Sequence, residues 1–332
     1  MIFDIFNPQV SVVSYGLEGK TITIYGSNNL GKTKQATRMK KPFYLGFEKG
    51  IKAIAGVNFL PVNNWADFKK INKQLTSKAN LERAKEMYQT IIFDEVEASA
   101  RYCSRYVCDK FEVETIAEGR GGYGLWKEYE MEYWEEIDKL LNAGYTVVFI
   151  AHETFDEKRG KIVPKGDKRA IAPVIDNSEI VVYLRSNGID EKGNVIKSSG
   201  YMAETKDFFA RSKLDYINPY LQEFTAENLE NAVIEAIKKQ EEAEGIKAVS
   251  YEEQKETLES ESLDFDELKK GILKAGQTLY GLNKSEEVNE IIEKNLGKGK
   301  KVTDFAKSHV QIMSVVLGEL NDILKAVEKT EA

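Results

Sequence analysis

An eight-residue loop near the start of the chain carries the clearest chemical signature in the sequence. It matches the pattern G-x-x-x-x-G-K-[ST] at every required position, with an apolar segment before it and a helical pattern after it. In that context, backbone N–H groups and the start of a helix surround phosphate groups. The pattern predicts that ATP binds here, with the lysine reaching the β- and γ-phosphates and the last hydroxyl holding Mg²⁺. The loop residues are Gly26, Ser27, Asn28, Asn29, Leu30, Gly31, Lys32 and Thr33.

A second signature is the acidic end of the apolar segment Thr90–Glu95 (TIIFDE). A carboxylate at the carboxyl end of a buried strand lies beside such a loop and holds the hydration shell of Mg²⁺. Asp94 is therefore predicted to form the metal site together with Thr33. The alternative is that Asp94 only caps the following helix, and the loop upstream favours the metal role.

Five short apolar segments predict the strands that position these groups. They are rich in β-branched and aromatic residues, and their apolar character is typical of a parallel sheet buried on both faces. These segments are Thr21–Tyr25, Phe43–Phe47, Thr90–Phe93, Thr146–Ala151 and Ile180–Leu184. Helical patterns separate them at Lys32–Met39, Trp65–Leu75, Val96–Cys108 and Trp126–Asn142. The predicted fold class is α/β, a mostly parallel sheet sandwiched by helices.

Thr154–Ala172 is predicted to be a polar hairpin or loop, and helical patterns dominate the chain after residue 226. Residues 1–225 are expected to form the core, 226–262 a helix and an acidic linker, and 263–332 a small helical C-terminal domain. That domain has three candidate helices, at Leu263–Tyr280, Glu286–Lys294 and Thr303–Val327. Thr303 is the predicted N-cap of the third helix, with Asp304 in its first turn.

Composition excludes several classes of protein. The 332 residues include 47 basic and 54 acidic side chains, so the net charge of −7 excludes a generally basic surface for coating nucleic acid. Any nucleic-acid site must be a local patch. Apolar runs are too short for a transmembrane helix, and the N-terminus lacks a signal-peptide pattern. Two cysteines and two histidines do not suggest a disulfide framework or a zinc site, and a reducing cytoplasm is expected.

The order of these motifs resembles that of the RecA-like P-loop ATPases. More closely, Gly121–Trp126 (GGYGLW) and Val147–His152 (VVFIAH) resemble the bacteriophage ATP-binding Sak-type single-strand-annealing recombinases. The resemblance covers roughly residues 10–220. It implies a RecA-like core, a phage protein in the host cytoplasm, and ATP hydrolysis with Mg²⁺ between the subunits of a homo-oligomer, in a ring or a filament.

The resemblance also implies roles for residues at the ends of the predicted strands. Glu48 follows the second strand, where a glutamate orients the attacking water in RecA-like enzymes. Glu95, directly after Asp94, is the alternative base, as in the AAA+ branch. RecA itself has no acid after the corresponding aspartate. We favour Glu48. His152 is expected to contact the γ-phosphate, and Lys168 or Arg169 to reach the ATP of a neighbouring subunit.

The function implied is ATP-dependent binding and annealing of single-stranded DNA, with a single-strand-binding protein as a further partner. The candidate DNA contacts are Arg120, Tyr123 and Trp126, the basic residues 158, 159, 161, 165, 168 and 169, and lysines 298, 300, 301 and 307. A replicative helicase or helicase loader would share every motif. A small-molecule kinase, or a nucleotide-gated scaffold with little turnover, also stays open.

Overall fold

A computed structural model describes residues 10–258 and 264–331. Its strands are β1 Thr21–Tyr25, β2 Pro42–Gly46, β3 Asn58–Pro61, β4 Thr90–Asp94, β5 Thr146–Ala151, β6 Glu153–Asp156, β7 Lys161–Pro164, β8 Ile180–Arg185, β9 Ser199–Tyr201, β10 Arg211–Ser212 and β11 Tyr220–Leu221. The main sheet runs β11-β9-β8-β1-β5-β4-β2-β3, β10 pairs with β8, and β6 and β7 form a separate hairpin. The α/β prediction is confirmed.

The α-helices are α1 Lys32–Ala36, α2 Trp65–Thr76, α3 Leu81–Met87, α4 Val96–Lys110, α5 Trp126–Asn142, α6 Lys168–Asn177, α7 Ala226–Glu244, α8 Tyr251–Leu258, α9 Phe265–Gly281, α10 Ser285–Leu296 and α11 Val310–Glu331. Short 3₁₀ turns lie at Lys49–Ala53, Ile116–Glu118, Arg120–Gly122, Val302–Asp304 and Lys307–His309. None of the helices in the described ranges is long and apolar enough to cross a membrane.

The central strands β1, β5, β4, β2 and β3 are parallel, as is β8 with β1, so their carboxyl ends share one edge. The strand order reverses beside β1, which lies between β5 and β8: the chain leaving β1 crosses to β2 on one side, and the chain leaving β5 crosses to β8 on the other. A crevice opens at such a switch point, outside the carboxyl ends of the strands, and ligands of open α/β sheets bind there. The loop 26–33 leaves β1 at this point, so the topology places the predicted chemistry in that crevice.

Side chains alternate between the two faces of the sheet and fill two separate cores. Along β5, Val147 and Phe149 enter one core with helices α2, α4 and α5, while Val148 and Ile150 enter the other. Each large buried side chain contributes about 1.5–3 kcal/mol of transfer free energy. Because both faces are covered, the strand sequences are apolar throughout rather than alternating.

The helix α7 belongs to the core rather than to a linker region. Leu229, Val233 and Ile237 are buried in the second core, and Gly245 ends the helix in a left-handed conformation. The acidic segment predicted as a linker forms α8 over residues 251–258, where Tyr251 packs beside Gly144. The core unit accordingly extends from Val10 to Glu256. Few residues of this helix are buried, so its acidic sequence lacks the apolar pattern that would have predicted a helix.

The C-terminal unit has its own apolar core, built by α9, α10 and α11. Its predicted first residue, Leu263, lies outside the described residues. The third helix begins at Val310 rather than Thr303, because the chain first winds through two 3₁₀ turns that bury Phe305. Asp304 caps the first of these turns by accepting a hydrogen bond from the Lys301 N–H at 2.9 Å.

Candidate nucleotide-binding and hydrolysis site

The loop after β1 has the backbone conformation that its sequence requires. Gly26 has φ 148°, and a Cβ there would lie 2.7 Å from the carbonyl oxygen of Leu184. Asn29 and Gly31 are left-handed, with φ 63° and 84°. Asparagine tolerates that region better than most residues, which explains how the loop closes without interior glycines.

The ammonium group of Lys32 lies inside this loop and is buried. Its Nζ donates hydrogen bonds to the carbonyl oxygens of Gly26 and Ser27, at 2.8 and 2.6 Å. Burial lowers the pKa of Lys32, and the nearby carboxylate of Asp94 opposes that shift. The lysine is therefore anchored to the loop, where its charge faces the space that the loop surrounds.

Thr33 and Asp94 form the predicted pair of metal-site residues. The Thr33 hydroxyl donates a hydrogen bond to Asp94 Oδ2 at 2.6 Å, and the buried Tyr44 hydroxyl donates to the same oxygen at 3.2 Å. Burial raises the pKa of Asp94, while these two hydrogen bonds lower it. Two oxygens this close fit Mg²⁺, which prefers hydroxyl, carboxylate and water ligands. Mg²⁺ bound here would neutralise charge on the β- and γ-phosphates.

Three further side chains meet at the same edge of the sheet. One ligand atom from each of Glu48, Glu95 and His152 lies within 4.8 Å of the others. Strand register is the reason, because Gly46 pairs with Asp94 and Asp94 pairs with Ile150. Glu48, Glu95 and His152 follow these aligned residues by one or two positions along their strands. The cluster has donors for a cation as well as groups for proton transfer to and from water.

Within this cluster the two glutamates have different surroundings. Glu95 is buried, and its Oε2 lies 3.0 Å from His152 Nε2, whereas Glu48 is exposed. Burial raises the pKa of Glu95 to about 7, with a further contribution from the negative charge of Glu48. Burial lowers the pKa of His152, and the charge of Lys32 acts in the same direction. Glu48 is thus the carboxylate that water reaches, and Glu95 is held by His152.

The raised pKa of Glu95 predicts a pH effect on stability. Between pH 4.5 and about 7 the folded protein binds this proton more tightly than the unfolded chain, so stability falls as pH rises through that window. We expect the nucleotide-free parent to lose a few degrees of Tm between pH 5 and 8 relative to Glu95→Gln, which cannot ionise. Thermal melts of both proteins measure the difference. Parallel pH profiles would contradict the assigned burial of this charge.

Lys168 and Arg169 occupy the first turn of α6 rather than an irregular loop. The Asp167 side chain caps this helix by accepting a hydrogen bond from the Arg169 N–H at 2.9 Å. The Arg169 guanidinium lies over the ring of Trp126, 4.1 Å from its centroid. The structure therefore brings together Trp126 of the first group of candidate DNA contacts and Arg169 of the second. The role of Lys168 and Arg169 toward a neighbouring subunit stays a prediction.

The other candidate DNA contacts belong to other elements of the structure. Tyr123 is 89% exposed in the glycine-rich turn, and Arg120 of the same turn forms an ion pair with Glu128. Lys158 and Arg159 are exposed at the tip of the β6–β7 hairpin. Lysines 298, 300, 301 and 307 are exposed in the C-terminal unit.

Two residues of the site were absent from the sequence analysis. Tyr44 donates a hydrogen bond to the metal-site aspartate from the middle of β2, a segment that the sequence predicted only as a buried strand. Glu153 accepts a hydrogen bond from the Ser27 hydroxyl at 2.5 Å. Its position directly after His152 was the available signal, since the start of the segment after β5 lies close to the loop after β1.

Three features together define a P-loop nucleoside triphosphatase. They are the phosphate-binding loop after β1, the acid Asp94 at the end of β4, two positions from β1 in the sheet, and a parallel sheet between helices. The sequence model of the family described as "AAA domain" matches residues 18–214, and the chain belongs to this family. It is also similar to the SPbeta prophage-derived uncharacterized protein YorG of Bacillus subtilis strain 168. The two are 64% identical over 324 residues, which cover 98% of this chain and 99% of that protein.

Proposed function

We propose that this protein binds single-stranded DNA in an ATP-dependent manner and anneals strands in recombination of the phage type. The resemblance to Sak-type recombinases and the prophage origin of the similar protein support this proposal. The observation that carries it is a groove that adjoins the hydrolysis cluster and is lined by two arginines, a lysine and a tryptophan. A positive groove with aromatic platforms is the general means of holding single strands without sequence preference.

The groove consists of two adjoining cavities of about 540 and 660 Å³. Both are lined by Arg101 and Ser104 of α4, by Trp126 of α5 and by Asp167. Lys165 lies at one end of the groove. Because the indole ring of Trp126 lines both cavities, a base that enters either one can stack on it.

Two arginines of α4 supply positive charge for phosphates in this groove, whose lining also includes the acidic residues Glu97, Asp109, Glu114 and Asp167. Arg101 is exposed, and so is Arg105, one turn further along α4. Arg169 stacks on the indole of Trp126, so a base that displaces the guanidinium gains an aromatic platform and frees a cation for a phosphate.

The groove also adjoins the hydrolysis cluster through the first turn of α4. Lys165 Nζ lies 2.9 Å from Glu97 Oε2, and Glu97 is two residues beyond the buried Glu95. A phosphate that draws Lys165 away from Glu97 would change the charge beside Glu95. We therefore expect single-stranded DNA to alter the rate of ATP hydrolysis.

The double variant Arg101→Ala/Arg105→Ala is expected to weaken binding of a fluorescent 30-nucleotide single strand by about tenfold and to reduce its salt dependence. The matched control is Lys238→Ala/Lys239→Ala, which removes two exposed charges from α7. Fluorescence anisotropy with ATP and Mg²⁺ measures both. Equal affinity in the two variants would show that the groove does not hold DNA.

The same preparation separates the rival functions. Annealing of complementary strands, followed by fluorescence quenching, supports the proposal. ATP-dependent unwinding of a forked duplex would instead indicate a helicase, and transfer of phosphate to a small acceptor a kinase. An ATPase rate unchanged by single-stranded DNA would contradict the coupling through Lys165 and Glu97.

We further propose that hydrolysis takes place between subunits, with Lys168 or Arg169 acting on the ATP of a neighbour. Lys32→Ala and Arg169→Ala should each be inactive, and mixing them should restore part of the ATPase rate. In a mixed assembly some interfaces pair an intact loop with an intact arginine. Absence of rescue under conditions of subunit exchange would refute the role in trans.

The C-terminal unit is the proposed docking region for a single-strand-binding protein.

A further inference from the structure

Glu153 places an additional carboxylate on the phosphate-binding loop. Its Oε1 accepts the hydrogen bond of the Ser27 hydroxyl at 2.5 Å, while the carbonyl oxygen of Ser27 accepts from Lys32 Nζ at 2.6 Å. One residue of the loop thus connects the carboxylate to the cation that the phosphates require. Neither Thr33 nor Asp94 takes part in these contacts, so the arrangement is distinct from the metal-site pair.

This carboxylate lies against two hydroxyl groups, those of Ser27 and Tyr183. Glu153 Oε2 is buried and has no hydrogen-bond partner, which among side-chain atoms of the described residues it shares only with Asn72 Oδ1 and Arg211 Nε. Burial lowers the pKa of Lys32, and the negative charges of Asp94 and Glu153 oppose that shift. The charge of Glu153 also raises the pKa of the Tyr183 hydroxyl, a smaller effect there than burial. An anion held this way competes for Lys32 and repels any second anion entering the loop.

We propose that Glu153 opposes nucleotide binding in the free protein, so that an incoming triphosphate must displace its carboxylate from Ser27. Glu153 is the first residue of β6 and pairs with Pro164 of β7. Its displacement would release the amino end of the β6–β7 hairpin from the loop. The tip of that hairpin carries the exposed Lys158 and Arg159, and Phe155 is 60% exposed. Occupancy of the loop is in this way communicated to the exposed tip of the hairpin.

The test is the affinity for nucleotides of Glu153→Gln, which keeps the side-chain shape and an acceptor for Ser27 but removes the charge. We expect it to bind ATP about fivefold more tightly than the parent and ADP only about twofold more tightly, because ADP carries less charge. The matched control is Glu157→Gln, which removes an exposed charge from the hairpin turn and should change neither affinity. Titration of a fluorescent ATP analogue into the full chain measures all three proteins.

Glu153→Ala separates repulsion from a structural role. If the carboxylate repels nucleotide, both Glu153 variants bind ATP more tightly than the parent. If the contact only supports the loop, the ATP affinity of Glu153→Gln equals that of the parent and Glu153→Ala binds ATP more weakly. That second result would overturn the proposal. Amide exchange of residues 154–160 gives a second readout. It should rise on addition of ATP in the parent, and should be high with or without ATP in Glu153→Ala. The inference depends on nucleotide binding alone, so its failure leaves the proposed DNA activity untouched.

Discussion

Replacing Lys32 with alanine is expected to reduce ATP hydrolysis by about 100- to 1000-fold. The ammonium group is anchored by two loop carbonyls, so its charge is preorganised for the β- and γ-phosphates and costs no rearrangement when they arrive. Alanine removes that charge and leaves the carbonyl oxygens of Gly26 and Ser27 without a donor. Release of inorganic phosphate at saturating Mg-ATP measures the effect.

The matched control for this variant is Lys34→Ala, an exposed lysine on the same short helix. It should keep the parental rate, and both variants should retain a cooperative melt by circular dichroism. A small decrease in Tm is expected for Lys32→Ala alone, because one of its two former acceptors, Gly26, is buried. Hydrolysis at the parental rate in Lys32→Ala would show that the loop does not bind the phosphates.

Replacing Glu48 with glutamine is expected to preserve ATP binding and to lower the hydrolysis rate by about 100-fold or more. An amide keeps the shape of the carboxylate but cannot take a proton from water. The structure adds a reason to prefer Glu48, since it is the exposed carboxylate of the cluster, whereas Glu95 is buried and engaged by His152. Single-turnover hydrolysis and equilibrium binding of ATP separate the chemical step from affinity.

Glu95→Gln is the comparison that decides between the two glutamates. We expect it to retain a measurable fraction of the rate, because its contact with His152 orients the histidine and an amide can replace part of that contact. An inactive Glu95→Gln beside an active Glu48→Gln would reverse the assignment. His152→Gln should keep more activity than His152→Ala, since only the former retains a polar group over the cluster.

The parts of the site that could be predicted from sequence are those whose chemistry is carried by neighbouring residues. The loop from Gly26 to Thr33 and the acid at Asp94 are contiguous patterns, and β1 and β5 have the predicted bounds because apolar runs buried on both faces stand out from their surroundings. The short strands β3, β9, β10 and β11 were not predicted. They have few residues, and their partners, rather than their own pattern, make them strands.

Only the tertiary structure decided which distant side chains meet. The register that aligns Gly46, Asp94 and Ile150 brings Glu48, Glu95 and His152 together, and sequence order cannot specify a register between parallel strands. In the same way, Ser27 and Glu153 are 126 positions apart and share a hydrogen bond. The sequence by itself identified a P-loop for a nucleoside triphosphate, because a loop of eight residues contains that chemistry. The placement of the charges around the triphosphate required the packed sheet, since their energies depend on burial and on distances that only the fold fixes.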